Sequence, residues 1–310
     1  MAQFTVNILG CGSATPSLRH NTSCQVIDFR DTLMMVDCGE GAQTQLRRAG
    51  LKFSRLRQIF ISHLHGDHCL GLTGLLSTLS LHGKGGSIDV YMPEHGVELF
   101  KRMLDFFLKE RSFEVRFNPI PTGGGILTSS SSLEVSAFPL YHGVPCFGFL
   151  FREKPKTRHL KGDMIRFFNI PVRSLDSIRE GNDWTAPDGR VIPNAQLTTP
   201  ASKAYSYAYC SDTVMDERVA ESVRGVDVMY HEATYDHSFV EKAESRGHST
   251  ALQAATIASM AGAKVLVIGH YSKRYLTPEI LVEEAQSVFP RVIAADEGLK
   301  IDIPELLKDE

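Results

Sequence analysis

The chain has 310 residues, 43% of them hydrophobic and 22% charged, a balance that excludes a disordered or collagen-like polymer and supplies enough apolar side chains to cover both faces of a sheet. A net charge of -3 and a pI near 6.5 exclude indiscriminate nucleic-acid binding through a uniformly basic surface. Six scattered cysteines (Cys11, Cys24, Cys38, Cys69, Cys146, Cys210) contain no C-x-x-C pair, which excludes a disulfide framework or a cysteine-rich zinc knot and fits a reducing compartment. With no basic start leading into an apolar run and no segment of bilayer length, the expectation is a soluble, cytoplasmic protein without membrane contact.

Residues 4–9 are short, apolar and β-rich, and they end in the turn Gly10-Cys11-Gly12-Ser13. That turn has no lysine and no following Walker pattern, so it reads as a turn and not a phosphate loop. Residues 24–29 and 32–36 read as a hairpin, after which Asp37-Cys38-Gly39-Glu40-Gly41 opens a helix over 42–49. Arg47 and Arg48 suit its C-terminus, where cations favour the helix dipole. A second unit repeats the logic: a buried strand over 57–61, a polar loop over 63–68, and a helix over 70–81 in which Gly71 and Gly74 permit close packing. A strand over 88–92 and a helix over 96–109 follow. Strands then dominate 113–151, with loops at Gly123-Gly124-Gly125 and at 129–132.

Residues 152–203 break this rhythm, being rich in Pro, Gly, Asn and charge, with weak helical signals at 161–169 and 174–180. The stretch is too long for a connector, and structureless backbone inside a core would leave polar groups unpaired. It therefore reads as a flexible arm inserted into, and protruding from, a single domain spanning 1–310, with Trp184 packed within it. Its start carries Arg152, Lys154, Lys156, Arg158, His159 and Lys161, which reads equally as a solvated charged loop or an RNA clamp. After it come a strand over 205–210, a helix over 215–223, a strand over 226–231, an Ala-rich helix over 249–261 capped by Ser249, a strand over 264–268, a helix over 278–288, and strands over 292–294 and 299–301. Hairpins early and α/β units late predict an α/β fold in which two mixed sheets pack face to face with helices outside, an αββα sandwich.

The sharpest chemical signal is Ser62-His63-Leu64-His65-Gly66-Asp67-His68, directly after a buried strand. Histidines at i and i+2 of an extended segment point to one side, so His63 and His65 can share an ion. A tight turn at Gly66 would aim Asp67 and His68 at a second ion nearby, the arrangement of a two-metal clamp. One loop cannot fill two coordination shells. The remaining candidates are His142, Asp212 and His270, each just past a predicted buried strand, where α/β folds gather functional loops. Singly, each reads equally as a satisfied core or loop-cap residue; with the histidine loop they form a set. Cys69 adjoins His68 but reads as a small buried residue starting a helix.

These residues resemble the metallo-β-lactamase superfamily and, within it, the ribonuclease Z family of tRNA 3′-processing endonucleases. The likeness extends through His231-Glu232-Ala233-Thr234 and Gly247-His248-Ser249-Thr250 and runs nearly end to end. It implies two Zn²⁺ per subunit: His63, His65 and His142 on one, Asp67, His68 and His270 on the other, and Asp212 bridging both. It also implies a precursor tRNA as substrate, a homodimer, an arm that grips the tRNA elbow, and products with a 3′-hydroxyl on the tRNA and a 5′-phosphate on the trailer. The catalytic roles implied are proton acceptor for Asp67, proton donor for His248 and orienting partner for Glu232. Two departures stand out: Asn169-Ile170-Pro171-Val172-Arg173 where relatives often carry a Gly-Pro pair, and Pro16-Ser17-Leu18-Arg19-His20-Asn21 where they often read P-x-K-x-R-N. The metal cluster alone would equally serve a small-ester hydrolase, a phosphodiesterase or an arylsulfatase, on the same scaffold.

Overall fold

The computed structural model describes residues 4–308, and its apolar runs assemble into two seven-stranded sheets. The extreme ends of the predicted 1–310 span, residues 1–3 and 309–310, lie outside the described residues. In the first sheet the strand order is Lys300–Asp302, Phe4–Gly10, Cys24–Phe29, Thr32–Val36, Leu56–Phe60, Ser87–Pro93, Glu114–Ile120, antiparallel as far as Thr32–Val36 and parallel beyond it. The second runs Val292–Ala294, Val265–Gly269, Val228–Glu232, Ser206–Cys210, Pro145–Glu153, Leu133–Tyr141, Gly125–Ser129, its first four strands parallel.

Strand alternation sorts the side chains between two layers. Val26, Met35, Ile59 and Val90 join Leu75, Leu79, Phe100 and Leu104 of the helices Gly71–Leu81 and Glu94–Phe107 in one apolar cluster. Phe60 points the other way and meets Phe149 and Phe151 of the second sheet, with ring centroids 5.5 and 5.6 Å apart. Strands such as Cys24–Phe29 and Val265–Gly269 are buried on both faces, as covered sheets require. The helices Ala251–Ala261 and Glu279–Gln286 lie against each other and flank the second sheet. This is the αββα arrangement expected. Among the described residues no helix is long and apolar enough to cross a membrane.

Several local readings need correction. The predicted loop at 63–68 ends in a helical turn, Gly66–Cys69, and Gly66 has no left-handed backbone. Thr250, not Ser249, caps the Ala-rich helix through a reciprocal box with Gln253; Ser249 Oγ donates instead to the Thr213 carbonyl at 2.7 Å. The helices Val240–Ser245 and Ile303–Leu306, too short to show a clear period, went unpredicted.

Residues 129–134 and 152–204 form a second compact unit. It has its own small core of Ile170, Ile178, Ile192 and Leu197, with Trp184 packed against it. Asn194 ties that core together: its Nδ2 donates to the carbonyls of Ile178 and Asn182 at 2.7 and 2.8 Å, and its Oδ1 accepts from Thr198 Oγ1 at 2.7 Å. The helices Gly162–Phe167 and Leu175–Arg179 fall where weak helical signals were read.

Gly71 and Gly74 separate in role. A Cβ on Gly71 would stand 2.1 Å from the Gly39 carbonyl, a backbone atom that cannot yield, whereas Gly74 has nothing nearer than Gln43 Nε2 at 3.6 Å. Gly71→Ala is therefore expected to destabilise the fold by about 2 kcal/mol or more. Gly74→Ala should be neutral or gain about 0.5–1 kcal/mol from helix propensity, and urea unfolding of the two variants checks the contrast.

Candidate metal centre

Four of the seven predicted ligands stand just after a strand, His63 beyond Leu56–Phe60, His142 beyond Leu133–Tyr141, Asp212 beyond Ser206–Cys210 and His270 beyond Val265–Gly269, while His65, Asp67 and His68 follow His63 into the helical turn Gly66–Cys69. The two sheets bring these ends together. His65 Nδ1 lies 3.1 Å from His63 Nε2 and 3.0 Å from His142 Nε2. Asp212 Oδ2 stands 3.6 and 3.5 Å from His63 and His142 Nε2. Across from them, His68 Nε2 is 3.3 Å from His270 Nε2, and Asp67 Oδ2 is 3.5 Å from each. Asp212 reaches this second group as well, with Oδ2 3.6 Å from His68 Nε2 and Oδ1 3.3 Å from His270 Nε2.

These spacings fit shared ions. Two ligands about 2.1 Å from one tetrahedral cation stand roughly 3.4 Å apart. Hydrogen bonds alone cannot account for the cluster, because each ring nitrogen carries one proton at most and Asp212 Oδ1 is buried with no hydrogen bond at all. His63, His65, His142 and Asp212 could hold one metal ion, and Asp67, His68 and His270 another with Asp212 between them.

In four of the five histidines, His63, His68, His142 and His270, the opposite ring nitrogen is held by the protein, as oriented metal ligands require. His142 Nδ1 donates to the Gly247 carbonyl at 2.6 Å, which turns Nε2 toward the cluster. His68 Nδ1 meets Asp37 Oδ2 at 2.7 Å, His63 Nδ1 meets Ser62 Oγ at 3.0 Å, and His270 Nδ1 meets Thr234 Oγ1 at 2.9 Å. Burial and its histidine neighbours keep His63 well below the ordinary imidazole range, ready to bind a cation in neutral form. Burial works against charge on Asp67 and Asp212, yet the surrounding imidazoles, His270 and His68 foremost, hold both carboxyls below the usual range.

Asp37, Ser62 and Thr234 carry this support, and none was singled out as a site residue from sequence. Asp37 also accepts from Ser62 N, Ser62 Oγ and Tyr209 Oη at 2.7, 2.9 and 2.8 Å. The available signal was its position at the end of a buried strand beside the one that leads to His63. Cys69, as expected, is buried and takes no place among the ligands; its thiol donates to the His65 carbonyl at 3.3 Å.

Comparisons with known proteins fit this geometry. The family model described as Anti-Pycsar protein Apyc1 matches residues 4–165, so the chain belongs to that family over its first half. "Ribonuclease Z" of Porphyromonas gingivalis is 49% identical over 305 residues, covering 98% of this chain and all of that protein. The "Ribonuclease Z" of Parabacteroides distasonis is 47% identical with the same coverage. The chain belongs to the ribonuclease Z family. The solved human tRNase Z, short form, is 27% identical with a TM-score of 0.71, covering 97% of this chain and 99% of that one.

In this ribonuclease Z family member the early loop is tied down at both of its basic residues. His20 Nδ1 meets Glu297 Oε2 at 2.9 Å, and Arg19 donates to the Leu276 carbonyl. The loop also reaches the metal centre, since Ala14 N donates to Asp67 Oδ2 at 2.7 Å. Supporting residues of this kind typically change metal affinity about 10- to 100-fold. Asp37→Ala should therefore lose metal on dialysis that leaves the parent protein loaded, as measured by elemental analysis of both.

Proposed function

We propose that this chain is an endoribonuclease that cleaves 3′ trailers from tRNA precursors with two zinc ions, leaving a 3′-hydroxyl on the tRNA and a 5′-phosphate on the trailer. The observation that carries the reading is Asp212, one carboxylate shared by two groups of histidines, in a chain that matches ribonuclease Z proteins along their whole length. Bound zinc would bring the pKa of a water from ~15.7 to about neutral and offset charge developing on the phosphate oxygens.

The protein's own part is to hold and move protons. Asp67, kept ionised by His270 and His68, can accept the proton of the attacking water. His248 is the donor to the departing O3′. Its Nδ1 stands 3.0 Å from Glu232 Oε1, so Nε2 is the ring atom left for the substrate. Burial alone would lower this imidazole's pKa, but the Glu232 carboxylate outweighs it and raises the pKa to about 9. Glu232 is itself fixed by Thr213 N, Thr234 N and Ser249 N at 3.2, 3.0 and 2.9 Å and by Thr234 Oγ1 at 2.7 Å.

The second unit supplies the RNA contact in this reading. Four of its six leading basic residues are bound within it: Lys156 to Glu153, Arg158 to Thr198, His159 to Ser202 and Lys161 to the Ala195 carbonyl. Arg152 remains exposed, as do Arg166 and Arg173 further along, a dispersed cationic surface suited to the phosphates of a folded RNA. We also infer a homodimer and a cytoplasmic setting, in keeping with the family.

Two measurements test these assignments. Deletion of residues 152–203 should abolish cleavage of a trailer-bearing pre-tRNA while leaving hydrolysis of bis(p-nitrophenyl) phosphate; retained tRNA processing would favour the small-ester alternative. Chelation should stop both. Separately, a donor must be protonated, so activity falls as pH rises through the His248 pKa. Glu232→Gln removes the charge that raises it. The alkaline limb of the kcat profile should shift to lower pH in that variant, and an unshifted limb would remove Glu232 from this role.

A further inference from the structure

Lys84 is the only buried lysine or arginine among the described residues, 5% exposed, and it meets no carboxylate. Its ammonium donates to the backbone oxygen of Ser54 at 3.4 Å, and Arg57 donates to the same oxygen at 2.6 Å. Two cations are thus held side by side on one neutral acceptor. They line a groove of about 650 Å³ together with Arg47, Lys52, Phe53 and His82, and no aspartate or glutamate contributes to its wall. Phe53 and His82 pack edge to face with ring centroids 5.5 Å apart, leaving flat aromatic surface beside the cations.

A cation partly withdrawn from water beside a second cation and without a counter-charge carries a cost that an anionic ligand would offset. Burial, then the repulsion of Arg57, push the Lys84 pKa down to about 8; an anion seated between the two would remove that penalty. The volume lies in the range of small-ligand sites. The position is also distinct. Arg57 and Lys84 stand at the start of the parallel strands Leu56–Phe60 and Ser87–Pro93, whereas the metal ligands follow the far end of the first, roughly 15–20 Å along an extended chain.

We propose that this groove is a second binding site, for the phosphate of a nucleotide, with Lys84 and Arg57 on the phosphate and the Phe53–His82 pair against the base. A free nucleotide and a nucleotide within an RNA chain share this chemistry. The site does not depend on the tRNA-processing reading.

The test is calorimetric titration of the metal-loaded protein with adenosine monophosphate, beside steady-state cleavage of pre-tRNA. Lys84→Gln and Arg57→Gln should each weaken nucleotide binding about tenfold or more, the loss expected for a charge-assisted bond. Lys84→Arg should retain it, and all three should hydrolyse bis(p-nitrophenyl) phosphate at the parent rate. A raised KM for pre-tRNA with unchanged kcat in Lys84→Gln identifies the ligand as part of the RNA. An unchanged KM with nucleotide binding lost identifies it as a free nucleotide. Nucleotide binding and KM both unaffected by Lys84→Gln and Arg57→Gln would overturn the proposal.

Discussion

One carboxylate organises this molecule. Asp212 stands within 3.3 to 3.6 Å of the Nε2 atoms of His63, His68, His142 and His270, and its Oδ1 is buried without a hydrogen bond. A buried carboxylate with one oxygen left without a hydrogen bond, among ring nitrogens that have too few protons to satisfy one another and the carboxylate together, is a costly arrangement for an isolated chain. Cations between those groups would turn the same arrangement into a favourable one. Folding and metal affinity would then be linked, because the candidate ligands come from both sheets and converge only in the native state.

The structure around Asp212 serves to keep that convergence accurate. Asp37 is the clearest case: it receives two bonds from Ser62, one from Tyr209 across the sheet interface, and one from His68. The first sheet's histidine loop is thereby tied to a tyrosine of the second sheet. The helix after the loop is set by backbone contact, Gly71 N donating to the Cys38 carbonyl at 2.9 Å. Residues outside the candidate ligand set thus fix the loop that carries four of its members.

How much of this was legible in the sequence depended on how local each signal was. Both strands of the first hairpin could be read to the residue, because alternation and the turn between them are adjacent in the chain. The H-x-H-x-D-H run was legible for the same reason. His142, Asp212 and His270 needed the pattern of strand ends, and the family resemblance, to be joined to it. Asp37 and Thr234 could not be assigned as supports, since their partners lie 31 and 36 positions away and the motif that contains Thr234 does not reveal which histidine it meets. The capping error at Ser249 has a similar origin. Ser249 and Thr250 are both good caps, and the choice falls to Thr250 because Ser249 is engaged in holding Glu232 and the Thr213 carbonyl.

The backbone itself reflects these demands. Non-glycine residues with left-handed φ are uncommon and cost about 1–3 kcal/mol each where the surroundings impose them. Of the six among the described residues, three border the metal centre: Ala14, Asp37 and His270. Each uses the unusual φ to aim a group that a regular strand or turn would point elsewhere. Ala14 directs its N–H at Asp67, Asp37 turns its carboxylate back under His68, and His270 brings Nε2 to Asp212. Glycine would relieve the strain at any of them, but at Asp37 and His270 it would delete the group being aimed. Strain is retained at the two positions where side-chain chemistry and backbone direction are both needed, and the buried sheets on either side supply the stability that offsets it.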